Sequence, residues 1–156
     1  MTGRARQISV IGAGVGDPEL LESAEEVGRR IAESGAVLVC GGMGGVMEAA
    51  SRGATGAGGT AIGVLPSSDP ADGNEHLTHA VATGVGQARN LAVVSSADAV
   101  IAVGGEWGTL SEIAFARKLG KRVVALQSWP LKNRAGTDLG IYEASTRTLH
   151  YASAGH

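Results

Sequence analysis

Aromatic side chains are nearly absent from this chain: two Trp, two Tyr and one Phe among 156 residues. Its core must therefore be built from Ala, Val, Ile and Leu, which suits a parallel sheet covered by helices. Cysteine occurs once, as Cys40, at the end of an apolar run. No disulfide framework can form within the chain, and a structural thiol is expected. Net charge is −2 with no basic block, which argues against nucleic acid as the main partner, because phosphate backbones demand clustered Lys and Arg. No apolar run approaches membrane-spanning length, so a membrane partner is not expected. The basic start, followed by a Gly-rich turn and an acidic helix, does not resemble a signal peptide, and a cytoplasmic protein is expected.

What is plentiful is glycine, with 25 residues. The glycines gather at the ends of short apolar runs and so mark turns. Strands are predicted at 8–11, 36–40, 60–65, 80–83, 99–103 and 122–126, from short β-branched runs. Helices are predicted at 19–34 after Pro18, at 46–53, from about 86 to 96, and at 110–119. The segment 129–138 reads as turn-like, and 140–151 as a strand followed by a short helix. Strands alternate with helices, and there is neither repeat nor linker. The expected fold is α/β, a Rossmann-like doubly wound parallel sheet with helices on both faces, in one domain covering 1–156. The polar segment 67–76 is a long loop of the kind that often forms a lid or binding loop.

Three Gly-rich turns follow three of the strands: 12–17, 41–45 and 104–108. In a doubly wound sheet such turns share the carboxyl edge, where ligands bind. Each aims free backbone N–H groups at one point, which makes an anion site, and phosphate is the usual anion. A small phosphorylated ligand is therefore the expected partner.

Several chemistries are disfavoured. The first turn is Gly12-x-Gly14-x-Gly16, not G-x-G-x-x-G, and the second strand ends in Cys40-Gly41 without an acidic residue for a ribose diol. A dinucleotide cofactor is not expected. There is no P-loop and no G-x-S-x-G elbow. His76, His79, His150 and His156 lack zinc spacing, so no metal and no cofactor are expected.

The polar candidates near the turns have two readings each. Arg89, early in its helix, either grips phosphate bidentately or is a surface arginine. Glu112 either faces a ligand or closes a capping box with Thr109. Glu48, after the second turn, is explained by the helix dipole. Trp107 either stacks on a base or pterin or packs in a subunit interface.

The string Gly105-Glu106-Trp107-Gly108-Thr109-Leu110-Ser111-Glu112 resembles the P-G-G-x-G-T-x-x-E signature of the LOG family of nucleoside 5′-monophosphate phosphoribohydrolases. Gly86-Gln87-Ala88-Arg89-Asn90 resembles that family's M-H-x-R-K motif, and Gly41-Gly42-Met43-Gly44-Gly45-Val46-Met47-Glu48 its second glycine turn. Within the family the chain is most similar to the short-chain branch that includes the molybdenum cofactor carrier proteins. The similarity runs over roughly residues 7 to 127. The resemblance implies Arg89 and Glu112 as catalytic residues. It implies Gly14, Gly42, Gly44, Gly45, Met47, Gly105, Trp107, Gly108 and Thr109 as the phosphate and nucleotide site. The implied reaction is hydrolysis of an N-glycosidic bond to free base and ribose 5-phosphate. The alternative is a non-catalytic carrier of a phosphorylated pterin or nucleotide. A homodimer or higher homo-oligomer is implied as well. A lysine decarboxylase is not, because no lysine is placed to form a Schiff base. Three departures stand out: Glu106 occupies the second glycine of the signature, Asn90 replaces its lysine, and Gly86-Gln87 replace Met-His.

Overall fold

A computed structural model of the chain describes residues 3–128 and the backbone of 141–143. Seven parallel strands form one sheet in the order β4-β3-β2-β1-β5-β6-β7. They are β1 (Gln7–Gly12), β2 (Val37–Cys40), β3 (Ala61–Leu65), β4 (His79–Ala82), β5 (Ala99–Val103), β6 (Arg122–Leu126) and β7 (Ile141–Glu143). The chain lays β1 to β4 in one direction, then crosses back to place β5 on the other side of β1. That reversal is the switch point of a doubly wound sheet. At its carboxyl edge Gly12 pairs with Val103, so the first and third Gly-rich turns lie on either side of one crevice. The second strand carries the second turn to the same edge. The fold expected from the alternating pattern is the fold observed.

Two helical layers cover the sheet. On one face, α1 (Pro18–Glu33) and α2 (Val46–Gly56) pack Ala24, Val27, Ile31, Val46, Ala50 and Ala54 against Ile8, Val10, Leu38 and Ile101. On the other, α3 (Arg89–Ser95) and α4 (Trp107–Lys118) pack Val93, Val94, Ile113 and Ala116 against Ile11, Val39, Val100 and Val123. Asp17 caps α1 by accepting from the Leu20 amide at 2.9 Å, Pro18 takes the first helical position, and Gly35 ends the helix at φ +80°. Of these, Pro18 and Gly35 were the signals read from the sequence, and the Asp17 cap completes the start of the helix.

The α1–α2 contact was not legible. A Cβ on Gly28 would sit 1.9 Å from the Ala50 carbonyl oxygen, and one on Gly53 would sit 1.9 Å from that of Glu25. The two helices therefore touch backbone to backbone, and a methyl group has no room. Gly28→Ala and Gly53→Ala are each expected to destabilise the protein by about 1–3 kcal/mol through overpacking, even though alanine is the better helix former. Equilibrium urea unfolding checks this; a gain in stability in either variant would contradict it.

Some boundaries differ from the sequence expectation. The second helix, which opens at Val46 as expected, runs on past Gly53 to Gly56. The segment expected as one helix from 86 opens as a 3-10 turn, Gly86–Ala88, before α3. The fourth helix starts at Trp107, not at Leu110. The strand expected after Gly140 is present as β7, while the turn at 129–138 and the helix after β7 fall outside the described residues. Among the described residues, no helix is long and apolar enough to cross a membrane.

Candidate functional site

The crevice at the switch point opens into a cavity of about 420 Å³, within the range of small-molecule sites. Six of the residues singled out from sequence line it: Gly14, Met47, Arg89, Gly108, Thr109 and Glu112. They come from the first Gly-rich turn, from the starts of α2 and α3, and from α4. Gly42, Gly44, Gly45, Gly105 and Trp107 are not among the lining residues.

Two of those glycines shape the cavity from behind. Gly45 has φ +63°, and a Cβ there would fall 2.3 Å from the Gly14 carbonyl carbon. Gly42 has φ +77°, and its Cβ would meet the Leu65 side chain at 2.3 Å. Glycine is needed at both for conformation and for space. The contact at Gly45 lets the second turn rest on the backbone of the first, where the Val46 amide donates to the Ala13 carbonyl at 3.0 Å. Trp107 is 77 % exposed as the first residue of α4.

The capping-box reading of Glu112 does not hold. The residue preceding α4 is Glu106, which has extended backbone, and no side chain caps the helix. Thr109 and Glu112 are therefore inside the helix, third and sixth, and Glu112 belongs to the second turn. The Gly104–Gly105 turn delivers the chain to helical geometry three residues earlier than Thr109 would. The first helical bond runs from the Leu110 amide to the Glu106 carbonyl at 3.0 Å. The amides of Gly108 and Thr109 thus have no carbonyl partner within the helix, and they mark its positive end.

Arg89 is buried, at 7 % exposure, so the surface reading fails as well. The bidentate phosphate grip is also largely used up. Arg89 Nε donates to the Val64 carbonyl at 3.0 Å and Nη2 to the Gly41 carbonyl at 3.4 Å. Nη1 donates to Gln87 Oε1 at 3.4 Å and to Asn90 Oδ1. A guanidinium has five N–H donors, so one remains. Gly41 is glycine because a Cβ there would sit 2.8 Å from Met47 Sδ and 2.9 Å from Arg89 Nη2.

Glu112 is buried at 9 % exposure and faces the cavity. Burial pushes its carboxyl up to about 7, against the opposing pull of the Arg89 charge, and no hydrogen bond to the carboxyl assists. Burial also lowers Arg89, while Glu112 and Cys40 pull it back up; a guanidinium stays charged regardless. Burial raises the Cys40 thiol, which lies 3.5 Å from Ser51 Oγ. It is the inert thiol expected.

The cavity lining thus carries one cation, Arg89, together with Glu112, pushed up to about 7, and the exposed Glu106. The lining also includes Met43, which the sequence reading gave no role, and the three residues read there as departures from the family motifs, Gln87, Asn90 and Glu106. Gln87 and Asn90 had one signal, their place beside Arg89 at the carboxyl edge. The loop at 67–76 does not line the cavity. Its Asn74 braces the second turn instead, with its amide N donating to Gly42 O at 2.9 Å and Nδ2 to Met43 O at 3.0 Å. Glu48, Glu75 and His76 bring potential ligand atoms within 4.8 Å of one another outside this cavity, a grouping that sequence spacing does not reveal; we assign it no metal.

The chain is similar over nearly its whole length to solved structures. The molybdenum cofactor binding protein of the phototrophic bacterium Rippkaea orientalis is 36 % identical, with 97 % of this chain and 96 % of that one covered and a TM-score of 0.86. The molybdenum cofactor carrier protein of Chlamydomonas reinhardtii is 34 % identical, with 96 % of each chain covered and a TM-score of 0.83. An uncharacterized protein of Archaeoglobus fulgidus is 50 % identical over 121 residues, spanning 78 % of this chain and 80 % of that one. The model of the SLOG cluster4 family matches residues 5–153, and the chain belongs to that LOG-like family.

Proposed function

We propose that this protein binds and carries a phosphorylated pterin of the molybdenum cofactor type, or a related nucleotide, without hydrolysing it. The observation that carries this reading is the state of Arg89. Its guanidinium is committed to two backbone carbonyls and two side-chain amides, with one N–H left. Such a group holds the pocket together and supplies charge, but it is poorly placed to follow a leaving base. The amides at the start of α4 suit a phosphate, and the helix dipole favours an anion there. The full-length likeness to two proteins named for the molybdenum cofactor points the same way.

Hydrolysis of a nucleoside 5′-monophosphate is the second reading. Glu112 favours it, as a buried carboxyl facing the cavity and titrating near 7, where a group able to give and take a proton is useful. A homo-oligomer belongs to the proposal too: Phe115 on α4 and Leu119 just after it are 42 % and 47 % exposed in the single chain.

Titration with molybdenum cofactor freshly released from a molybdoenzyme, alongside chromatography of nucleoside 5′-monophosphate incubations, separates the two readings. Saturable cofactor binding with no base released is expected. Base release that disappears in Glu112→Gln would establish the hydrolase instead.

A further inference from the structure

Arg89 has donors only, so any amide touching it must turn its oxygen toward it. Gln87 Oε1 accepts from Arg89 Nη1 at 3.4 Å and from Asn90 Nδ2 at 3.3 Å, and Asn90 Oδ1 accepts from Arg89 Nη1. The Gln87 oxygen is therefore fully used on the protein side, and the Asn90 oxygen keeps one lone pair. This orientation is a matter of charge rather than of assignment, because a flipped amide would press an N–H against a guanidinium. The donors that remain on the two side chains are one N–H of Asn90 and both N–H groups of Gln87, for which no protein acceptor is present among the described residues. Both residues line the cavity. Asn90 is held in the first turn of α3 and Gln87 in the 3-10 turn before it.

We propose that Gln87 and Asn90 determine which heterocycle the site accepts: with their oxygens turned onto Arg89 they present three N–H donors against a single remaining lone pair, and so select a ring carbonyl over an exocyclic amine. The inference rests on reading the cavity as a site for a phosphorylated heterocycle. An amine placed against these N–H groups would set donor against donor and leave both desolvated without a partner. That mismatch costs more than the mean worth of a hydrogen bond, and a site built to hydrogen-bond one group rejects the analogue lacking it. The two side chains are specificity residues; neither is asked to move a proton.

The test uses matched pairs of probes measured by isothermal titration at one pH: inosine against adenosine 5′-monophosphate, uridine against cytidine 5′-monophosphate, and neopterin monophosphate against its 4-amino analogue. In every pair that binds, the oxo member is expected to bind about tenfold tighter or better. Asn90→Asp and Gln87→Glu keep an oxygen on Arg89 but exchange a donor for an acceptor. They are expected to bring the ratio within each pair to about one or to invert it, whatever they do to absolute affinity. Equal binding of oxo and amino members by the parent protein would overturn the inference while leaving the proposed ligand class standing. So would a ratio unchanged in both variants, which would mean that the amides hold the phosphate or that discrimination lies elsewhere. Absence of binding by every member would remove the proposed ligand class, and the inference with it.

Discussion

Glu112→Gln is expected to make the protein more stable at pH 8 and no more stable at pH 4. In the unfolded chain a glutamate titrates near 4.5, whereas burial in the cavity lifts Glu112 to about 7. Between those values the native state holds a proton that the unfolded state has lost. Stability therefore falls as pH rises through this window, and the loss is complete once Glu112 ionises in the folded protein. A shift of this size corresponds to about 3 kcal/mol. Glutamine has the shape of the neutral acid and never ionises, so the variant escapes the loss. For a domain of this length the gain at pH 8 corresponds to roughly 6–12 °C in Tm. Thermal scans of both proteins from pH 4 to 8 check it. Superimposed pH profiles would mean that Glu112 titrates in the native state as it does in the unfolded chain. The same titration bears on ligand binding. When Glu112 is neutral, Arg89 stands as the cavity's cation against Glu106. Once Glu112 ionises, the lining carries an excess of negative charge and repels a phosphate.

Arg89→Leu is expected to be the most damaging single substitution in the site. The guanidinium ties the carbonyl of Val64 in β3 to that of Gly41 at the end of β2, and it orients Gln87 and Asn90. Leucine leaves the two carbonyls without their donor and takes the counter-charge away from Glu112. Loss of a buried, hydrogen-bonded cation of this kind costs about 3 kcal/mol or more. Urea unfolding at pH 7 measures that loss, and ligand binding should vanish with it. Arg89→Lys separates the two contributions. It restores a charge near Glu112 but not the planar fork that reaches Val64, Gly41 and the two amides at once. Lys should therefore return Glu112 to titration near 7 while leaving most of the stability deficit. Full stability in Arg89→Leu would show that the tethers contribute nothing.

The sheet was legible because its evidence is local. Five-residue runs such as Ala99-Val100-Ile101-Ala102-Val103, ending in glycine, leave few alternatives to a buried parallel strand. The order of strands and helices then brings three turns to one edge. The site was half legible. Arg89 and Glu112 are picked out by motif position, but their environment is a tertiary property. Arg89 is buried only because β2 and β3 close over it. Glu112 avoids the cap because the helix starts at Trp107, a choice made by the Gly104–Gly105 turn and not by Thr109. Likewise Gly42 and Gly45 were expected in the ligand site by resemblance, and they stand behind the cavity lining, packed on Leu65 and on the first turn. The α1–α2 contact at Gly28 and Gly53 gave no signal, since a lone glycine in a helical stretch has many explanations.

Central to this account is a phosphate held at the switch point, by the amides at the start of α4 and the first Gly-rich turn. The most direct test is a ¹⁵N–¹H correlation spectrum recorded while a nucleoside 5′-monophosphate or phosphorylated pterin is added. The largest shifts are expected at the amides of Gly14, Gly108 and Thr109, with smaller ones at Arg89 and Asn90. Shifts confined to the outer faces of α1 and α2, with these amides unmoved, would contradict it.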